Sequence, residues 1–293
     1  MTGTTFASLL KPGSPVIIDG GLATQLEAQG CNINNPLWSA SVIASNPQAI
    51  VDAHRAYLEA GAQIIITASY QATDPDMLLR SVALAREARD DFAAGGGGYA
   101  LVAASIGPYG AVLSDGSEYR GDYAIDADEL HDFHHGRLEL LDTSGADLLA
   151  CETIPSLTEG IVLGGLLRDA QSPAWISFSC RDGECINDGT PIEEAADLFR
   201  DHPRVLAVGI NCTRPQFAVS LIRRIRAVLP GKAIVAYPNS GEEFDASDKT
   251  WSGTVTANDW AAAAQTWVSA GASIIGGCCR TGPAHIRAMA GAT

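Results

Sequence analysis

The stretch Glu59–Ser69, EAGAQIIITAS, contains the end of a helix and the start of a buried strand. Gly61 suits the C-cap of the helix, and Ile64 begins an apolar run of strand length. The same junction recurs as Thr-Ser-Gly-Ala at 143–146 and Ser-Ala-Gly-Ala at 269–272, each followed within two residues by an apolar run. This weak internal repeat indicates alternating helices and strands, and therefore a parallel sheet.

Eight apolar runs of strand length follow one another along the chain, with helical periodicity between them. They are Val16–Asp19, Ile64–Ser69, Leu101–Gly107, Asp147–Thr153, Ala174–Ser179, Val205–Cys212, Ile234–Asn239 and Ser273–Cys279. The longest irregular stretches, near 20–45, 107–128, 180–191 and 240–258, all follow the C-terminal ends of strands. This asymmetry predicts an α/β fold with a single (β/α)8 barrel over residues 1–293. An open doubly wound sheet is the alternative, but the first strand lacks a dinucleotide-binding glycine fingerprint.

Charge excludes several classes of partner. The 293 residues include 34 acidic and 19 basic ones, which give a net charge of -15. The one dense basic stretch, 223–226, is typical of the solvated face of a helix. We therefore expect neither nucleic acid nor an anionic membrane as a partner. The lack of a leader-like segment and the odd count of seven cysteines predict a reducing, cytoplasmic location.

Two cysteine motifs follow predicted strands. Cys278 and Cys279 follow Gly276-Gly277, and Cys212 ends the run that begins at Val205. Three soft ligands with an empty fourth position suit a catalytic zinc ion. Adjacent residues of a regular strand point to opposite faces, so the last strand must end before Cys278, as the two glycines allow. Spacing alone leaves a second possibility, three ordinary buried cysteines without a metal.

Other polar residues also stand at strand ends, which a barrel brings to one face. They are Asp19, Gly20, Thr67, Ser69, Glu152, Asn211, Tyr237 and Asn239. Asp19 and Glu152 could bind the ammonium group of an amino-acid substrate, with backbone amides available for its carboxylate. The alternative is that Asp19 caps a helix and Glu152 is an ordinary loop carboxylate.

The chain resembles the homocysteine S-methyltransferases that need zinc but not cobalamin. The motifs that carry the resemblance cover nearly the whole chain in order. They are Asp19–Thr24 (DGGLAT), Leu37–Ala40 (LWSA), Thr67–Ala72 (TASYQA), Gly107–Gly110 (GPYG), Asp115–Tyr123 (DGSEYRGDY), Cys151–Thr153 (CET), Gly209–Cys212 (GINC), Tyr237–Glu242 (YPNSGE) and Gly276–Thr281 (GGCCRT).

The resemblance implies methyl transfer from S-methylmethionine or S-adenosylmethionine to homocysteine, giving methionine. It implies zinc on Cys212, Cys278 and Cys279. The predicted homocysteine contacts are Asp19, Gly20, Thr67, Ser69, Glu152 and Asn211. The chain departs from the family after Ala72, where only 73–77 precede a helix expected near Leu78 and the family usually has a longer segment.

The donor site is predicted from aromatic residues, because their faces attract a sulfonium cation. The loop from Tyr109 to Tyr123 also carries three carboxylates, which attract the same charge: Asp115, Glu118 and Asp122. Donor-side candidates are Trp38, Tyr109, Tyr119, Tyr123, Tyr237 and Asn239. The alternative is a surface lid whose tyrosines pack on the barrel rim.

Two further function classes remain beside the transferase. A redox or metal-sensing protein could use Cys278 and Cys279 as a vicinal dithiol. A metal-free barrel lyase or aldolase would need a lysine at a strand end, and none of the eight predicted ends has one.

Overall fold

The computed structural model describes residues 4–10, 14–33, 39–241, 243–245, 250–252 and 256–293. Within them, one sheet has eight parallel strands in the order β1-β10-β7-β6-β5-β4-β3-β2. Its strands are β1 (Val16–Ile17), β2 (Ile64–Ile66), β3 (Leu101–Ile106), β4 (Leu148–Ile154), β5 (Ala174–Phe178), β6 (Val205–Asn211), β7 (Ala233–Tyr237) and β10 (Ile274–Ile275). An antiparallel hairpin, β8 (Glu243–Asp245) and β9 (Thr250–Ser252), lies between β7 and β10 in the chain.

The sheet closes on itself between β1 and β2. Ile18 forms a parallel bridge with Ile64, and the Asp19 amide donates to the Ile64 carbonyl over 3.1 Å. One residue earlier in each segment, the Gln63 amide donates to the Ile17 carbonyl over 2.7 Å. The predicted (β/α)8 barrel is confirmed, and the open doubly wound alternative is wrong. β1 and β10 each have two residues and are shorter than the apolar runs predicted for them, Val16–Asp19 and Ser273–Cys279.

Helices surround the barrel. They are α1 (Phe6–Leu9), α2 (Leu22–Ala28), α3 (Ser39–Ser45), α4 (Pro47–Glu59), α5 (Pro75–Ala94), α6 (Tyr109–Leu113), α7 (Ala127–Asp142), α8 (Leu157–Leu167), α9 (Ile192–Asp197), α10 (Pro215–Val228), α11 (Ala257–Ala270) and α12 (Pro283–Ala292). The junction glycines Gly61, Gly145 and Gly271 have φ of 106°, 87° and 119°. Glycine adopts this left-handed conformation without steric cost. Gly271 is the C-cap of α11 as predicted, whereas the C-caps of α4 and α7 are Ala60 and Thr143, and Gly61 and Gly145 follow them by one and two residues.

The segment after Ala72 is used to start a helix. Asp74 caps α5 by accepting a hydrogen bond from the Met77 amide over 3.0 Å, and Pro75 takes the first helical position. The helix therefore begins earlier than the Leu78 region predicted from the sequence.

Two apolar layers form the core. One fills the space between the strands and the helices, and the other fills the barrel interior with residues such as Ile18, Leu101 and Trp175. Phe6 of α1 packs against Trp175 with ring centroids 5.9 Å apart, inside that second layer. Among the described residues, no helix is long and apolar enough to cross a membrane.

Candidate functional site

Three cysteine sulfurs meet where β6 and β10 end. Cys212 directly follows β6 with φ of 48°, and its amide donates to the Tyr237 carbonyl over 3.3 Å. Beyond β10, the Cys278 amide donates to the Pro238 carbonyl over 2.9 Å. The Sγ atoms of Cys212, Cys278 and Cys279 all lie within 4.8 Å of one another. The predicted convergence of these three residues is therefore present in the fold.

Close backbone packing holds the two vicinal cysteines in this position. A Cβ atom on Gly276 would lie 2.3 Å from Ile18 Cγ1, and one on Gly277 would lie 2.2 Å from Thr281 Oγ1. Thr281 in turn donates to the Cys278 carbonyl over 2.6 Å. Only glycine fits at 276 and 277, which lets the chain leave the strand before Cys278.

The chemistry of the donor set fits a soft metal ion. The Cys212 and Cys279 sulfurs are 3.6 Å apart. Hydrogen bonds from the neighbouring thiols hold the pKa of Cys279 well below its usual value. The hydrogen bonds that Cys278 shares with Cys212 and Cys279 raise its own pKa well above the usual value. Without a cation the cluster favours one thiolate, whereas a bound divalent ion would stabilise all three.

Asp19 brings a buried carboxylate to the same mouth of the barrel. Its side chain follows β1 and is 1% exposed. Oδ2 accepts from the Ile66 amide over 2.7 Å, but Oδ1 is buried without a hydrogen-bond partner among the described residues. Burial raises the pKa of Asp19 well above its usual value, and the charge of Glu152 raises it further. The free oxygen can accept a hydrogen bond from a cationic ligand.

Glu152 is the second buried carboxylate. Its Oε1 accepts from the Ser105 hydroxyl, and its Oε2 accepts from the Tyr237 hydroxyl over 3.1 Å. Burial raises the pKa of Glu152 to about 7, although these two hydrogen bonds favour the ionised form. The charges of Asp19 and Glu152 interact, as do those of Glu152 and Cys279. The site therefore brings two acidic groups beside the cysteines, and a bound cation would favour their ionised forms.

The other side chains predicted to contact homocysteine form hydrogen bonds with residues of other strands. Thr67 Oγ1 lies 2.7 Å from Ser69 Oγ, which donates to the Ser105 carbonyl over 2.7 Å. Asn211 Oδ1 accepts from the Thr153 amide over 2.7 Å, and its Nδ2 donates to Thr153 Oγ1 over 2.8 Å. These bonds hold the side chains of Ser69 and Asn211 against residues of other strands. Their direct contact with homocysteine, like that of Thr67, stays a prediction.

Gly20 lies where the first loop packs on the cysteine loop. A Cβ atom there would lie 2.6 Å from the Thr281 carbonyl oxygen and 2.9 Å from the Tyr57 ring. The Tyr57 hydroxyl donates to the carbonyls of Gly21 and Thr281, at 2.8 Å and 3.0 Å. The absence of a side chain at Gly20 thus keeps the two loops together, and its contact with substrate stays a prediction.

The donor-side candidates separate into different groups. Tyr119 reaches the site, because its hydroxyl lies 3.3 Å from Cys212 Sγ. Tyr109 packs edge-on against Tyr123 and Phe133, with centroids 5.4 Å and 5.1 Å away. This packing is compatible with the lid alternative, and donor-side roles for Tyr109, Tyr119 and Tyr123 stay predictions. Trp38 lies outside the described residues.

Two donor-side candidates lie at the C-terminal end of β7. Tyr237 is the last residue of the strand, and Asn239 follows it by two residues. Tyr237 is buried and its hydroxyl contacts Glu152, which groups it with the predicted homocysteine residues. Asn239 is half-buried, its amide donates to the Thr213 carbonyl over 3.0 Å, and its Oδ1 has no hydrogen-bond partner in the part of the chain described. A donor-side role for either residue stays a prediction.

The fold brings three cysteines beside a pair of buried carboxylates at the mouth of a closed barrel. The homocysteine S-methyltransferase family model matches residues 16–293. The chain belongs to the homocysteine S-methyltransferase family.

Similar proteins cover the chain almost completely. The homocysteine S-methyltransferase YbgG of Bacillus subtilis is 46% identical over 94% of this chain and 93% of that protein. A homocysteine S-methyltransferase of Escherichia coli is 44% identical over 96% of both chains. The metallated crystal structure of the homocysteine methyltransferase MmuM from Escherichia coli has a TM-score of 0.87 and 41% identity, covering 98% of this chain and 99% of that one. Membership favours the transferase over the sensor and lyase classes.

Sequence reasoning missed several polar residues of this homocysteine S-methyltransferase family member. Ser105 and Ser177 are the next-to-last residues of the buried strands β3 and β5, where they bond Glu152 and Asn211. Thr153 has φ of 62° next to a bulge in β4, and Asn211 holds both its amide and its hydroxyl. A hydroxyl in an otherwise apolar strand was the available signal, because buried polar groups need partners.

Proposed function

We propose that this protein transfers a methyl group from a sulfonium donor, S-methylmethionine or S-adenosylmethionine, to the thiol of homocysteine, giving methionine. Three cysteine sulfurs within 4.8 Å of one another, beside the buried carboxylates Asp19 and Glu152, carry the proposal. Family membership supports it. The small-molecule reaction takes place in one barrel domain, residues 1–293, in the cytoplasm, where thiolates stay reduced.

Cys212, Cys278 and Cys279 would hold zinc. Zinc bound there would keep a homocysteine thiol deprotonated at neutral pH, which makes its sulfur a ready nucleophile. No side chain then has to act as a general base. The three thiolates offer an incomplete tetrahedral set, which leaves one position for the substrate sulfur.

Asp19 and Glu152 orient homocysteine. Asp19 Oδ1, which lacks a hydrogen-bond partner among the described residues, accepts a hydrogen bond from the substrate ammonium group, and the nearby charge of Glu152 adds to the attraction. Tyr237 and Ser105 hold Glu152 in place through its two oxygens. Fixing the amino-acid end of homocysteine directs its sulfur toward the cysteines and the donor methyl.

The reaction itself needs little proton transfer. The homocysteine sulfur attacks the donor methyl in line, a carbon–sulfur bond forms, and the bond to the sulfonium sulfur breaks with its electron pair left on that sulfur. Both charges shrink in the transition state, so a site with little water favours the step. Tyr119 limits solvent access to the cysteines, since its hydroxyl lies against Cys212.

A labelled-methyl assay tests the proposal. Zinc-loaded protein is incubated with homocysteine and either donor carrying a labelled S-methyl group, and the label is followed into methionine. We expect transfer from at least one donor, loss of transfer after chelation, and recovery with added zinc. Zinc-replete, folded protein that transfers no label from either donor would contradict the proposed function.

A further inference from the structure

The loop from Tyr109 to Tyr123 presents its three carboxylates differently. Asp122 is exposed and bonds Arg120 over 3.0 Å. Asp115 is exposed too, and one of its oxygens accepts from the Ser117 amide over 2.9 Å. Glu118 differs from both, because its Oε2 is buried and has no hydrogen-bond partner among the described residues. A buried carboxylate oxygen without a partner is costly unless a ligand satisfies it.

The backbone of this loop fixes the direction of Glu118. A 3-10 turn, Ser117–Tyr119, packs directly on Gly110, where an added Cβ atom would lie 2.4 Å from the Glu118 amide nitrogen. Ser117 is buried beneath the turn and donates to the Gly110 carbonyl over 3.4 Å. Tyr119, the residue after Glu118, has its hydroxyl 3.3 Å from Cys212 Sγ, so the turn lies beside the cysteine cluster.

The surroundings of Glu118 are suited to a cation. Its charge interacts with that of Cys279, and it also acts on the Tyr70 and Tyr123 phenols. Burial raises the pKa of Glu118, and the negative charges of Asp115 and Cys279 raise it further. Arg120 opposes this, but its guanidinium is half-exposed and bonds Asp122. A cationic ligand would stabilise the ionised carboxylate, and tyrosine faces attract cations as well.

We propose that Glu118 binds the sulfonium centre of the methyl donor. This inference rests on the proposed methyl transfer. The proposed function assigns Asp19 and Glu152 to the homocysteine ammonium group, whereas Glu118 lies on the loop whose Tyr119 hydroxyl contacts Cys212. A sulfonium carries no N–H donor, so an unpaired carboxylate oxygen near aromatic rings can attract it without a directed hydrogen bond.

The reaction predicts how this contact affects the kinetic constants. The sulfonium loses its charge as the methyl group leaves, so Glu118 stabilises the bound donor more than the transition state. Removing the charge should therefore raise the KM for donor and leave kcat unchanged or higher. A residue that only supports the fold would lower kcat or the thermal midpoint instead.

Binding of two isosteric ligands tests the inference without turnover. S-methylmethionine and its carbon isostere, 2-amino-5-methylhexanoate, share the ammonium and carboxylate groups and differ in the sulfonium charge. Each is titrated calorimetrically into zinc-loaded wild type, Glu118→Gln and Asp122→Asn, which removes an exposed charge from the same loop. We expect Glu118→Gln to weaken the binding of S-methylmethionine by about 10- to 100-fold and to leave the affinity for the isostere unchanged. Asp122→Asn should bind both ligands like wild type.

Several outcomes would overturn the inference. If Glu118→Gln lost the same affinity for both ligands, Glu118 would contact the ammonium group. If its affinity for S-methylmethionine were unchanged, Glu118 would not belong to the donor site. If the variant lost zinc, Glu118 would belong to the metal site. Failure of the proposed function is distinguishable, because wild type would then transfer no methyl group. If wild type is active and Glu118→Gln binds both ligands normally, only the role of Glu118 is wrong.

Discussion

The Tyr237 hydroxyl donates a hydrogen bond to Glu152 Oε2 over 3.1 Å inside the barrel, where both side chains are buried. Trp175 donates to the same phenol oxygen over 3.1 Å, and the Ser177 hydroxyl lies 2.7 Å from it. Phe6 packs on the other side of Trp175. The barrel core thus supports the orientation of a carboxylate at its mouth, because Tyr237 cannot rotate without disturbing Trp175.

Replacing Tyr237 with phenylalanine should weaken homocysteine binding. The change removes one of the two hydroxyl groups that hold Glu152, so we expect a rise in the KM for homocysteine of about 3- to 10-fold. The Trp175 N–H also loses its acceptor, which should reduce the free energy of unfolding by about 1–3 kcal/mol. Tyr99→Phe, which alters a side chain that is 50% exposed, is the control. Equal kinetics in both variants would rule out the positioning role.

Glu152 should make stability depend on pH. Burial raises the pKa of Glu152 from 4.5 to about 7. The folded state therefore binds the proton more tightly than the unfolded state, so the free energy of unfolding falls as pH rises from about 4.5 to 7. The full loss in the free energy of unfolding, roughly 3 kcal/mol, is present above pH 7 and absent below the pKa of the unfolded state.

Denaturant unfolding of wild type and Glu152→Gln across this pH range measures the effect. The neutral variant cannot ionise at this position, so its stability should decline less between pH 5 and pH 8. Parallel pH curves would show that the carboxyl pKa is not raised in the folded protein. Homocysteine should reduce the difference, because its ammonium group stabilises the ionised carboxylate.

The Asp19→Asn change should lower the affinity for homocysteine without lowering the stability of the protein. The amide keeps the shape but removes the charge, so we expect homocysteine affinity to fall about 10- to 100-fold with zinc still bound. Because an ionised Asp19 is costly to bury, the thermal midpoint should hold or rise. Asp132→Asn, at a side chain that is 89% exposed, is the matched control. Unchanged homocysteine affinity with a lower midpoint would assign Asp19 a structural role only.

The fold could be predicted because its signals are local. Gly61 and Ile64 mark one helix-to-strand junction, and each such junction is encoded in a few adjacent residues. The closing contact between Ile18 and Ile64 follows once eight strands are counted. The convergence of Cys212 with Cys278 followed from the same count, since the C-terminal ends of barrel strands share one face.

The direction of loop side chains could not be predicted in this way. Asp115, Glu118 and Asp122 are three acidic residues of one loop, and the sequence does not distinguish them. The packing of the 3-10 turn on Gly110 is what buries an oxygen of Glu118. The hydrogen bond from the Tyr237 hydroxyl to Glu152 could not be predicted from the sequence either, and the donor-side role of Tyr237 stays a prediction. Such contacts join distant strands, so no local sequence pattern specifies them.

Serine at any one of Cys212, Cys278 and Cys279 should remove most of the zinc. We expect about one zinc per wild-type chain, because three thiolates supply the protein's share of an open tetrahedral site. Cys185→Ser, at a half-buried cysteine outside the cluster, should retain its zinc. Metal analysis of purified, reduced proteins measures this, and circular dichroism checks the fold. Full retention in one of the three variants would remove that residue from the ligand set.

Mild oxidation should inactivate the protein with release of zinc. The Cys212 and Cys279 sulfurs are only 3.6 Å apart, so an oxidant that reaches the open ligand position can join two of the clustered thiols. Zinc release should parallel the loss of activity, and thiol reductant with zinc should restore both. Bound homocysteine should slow both losses because it occupies the open position. Peptide mapping would identify the linked pair, and inactivation with all zinc retained would show that the sensitive group lies outside the cluster.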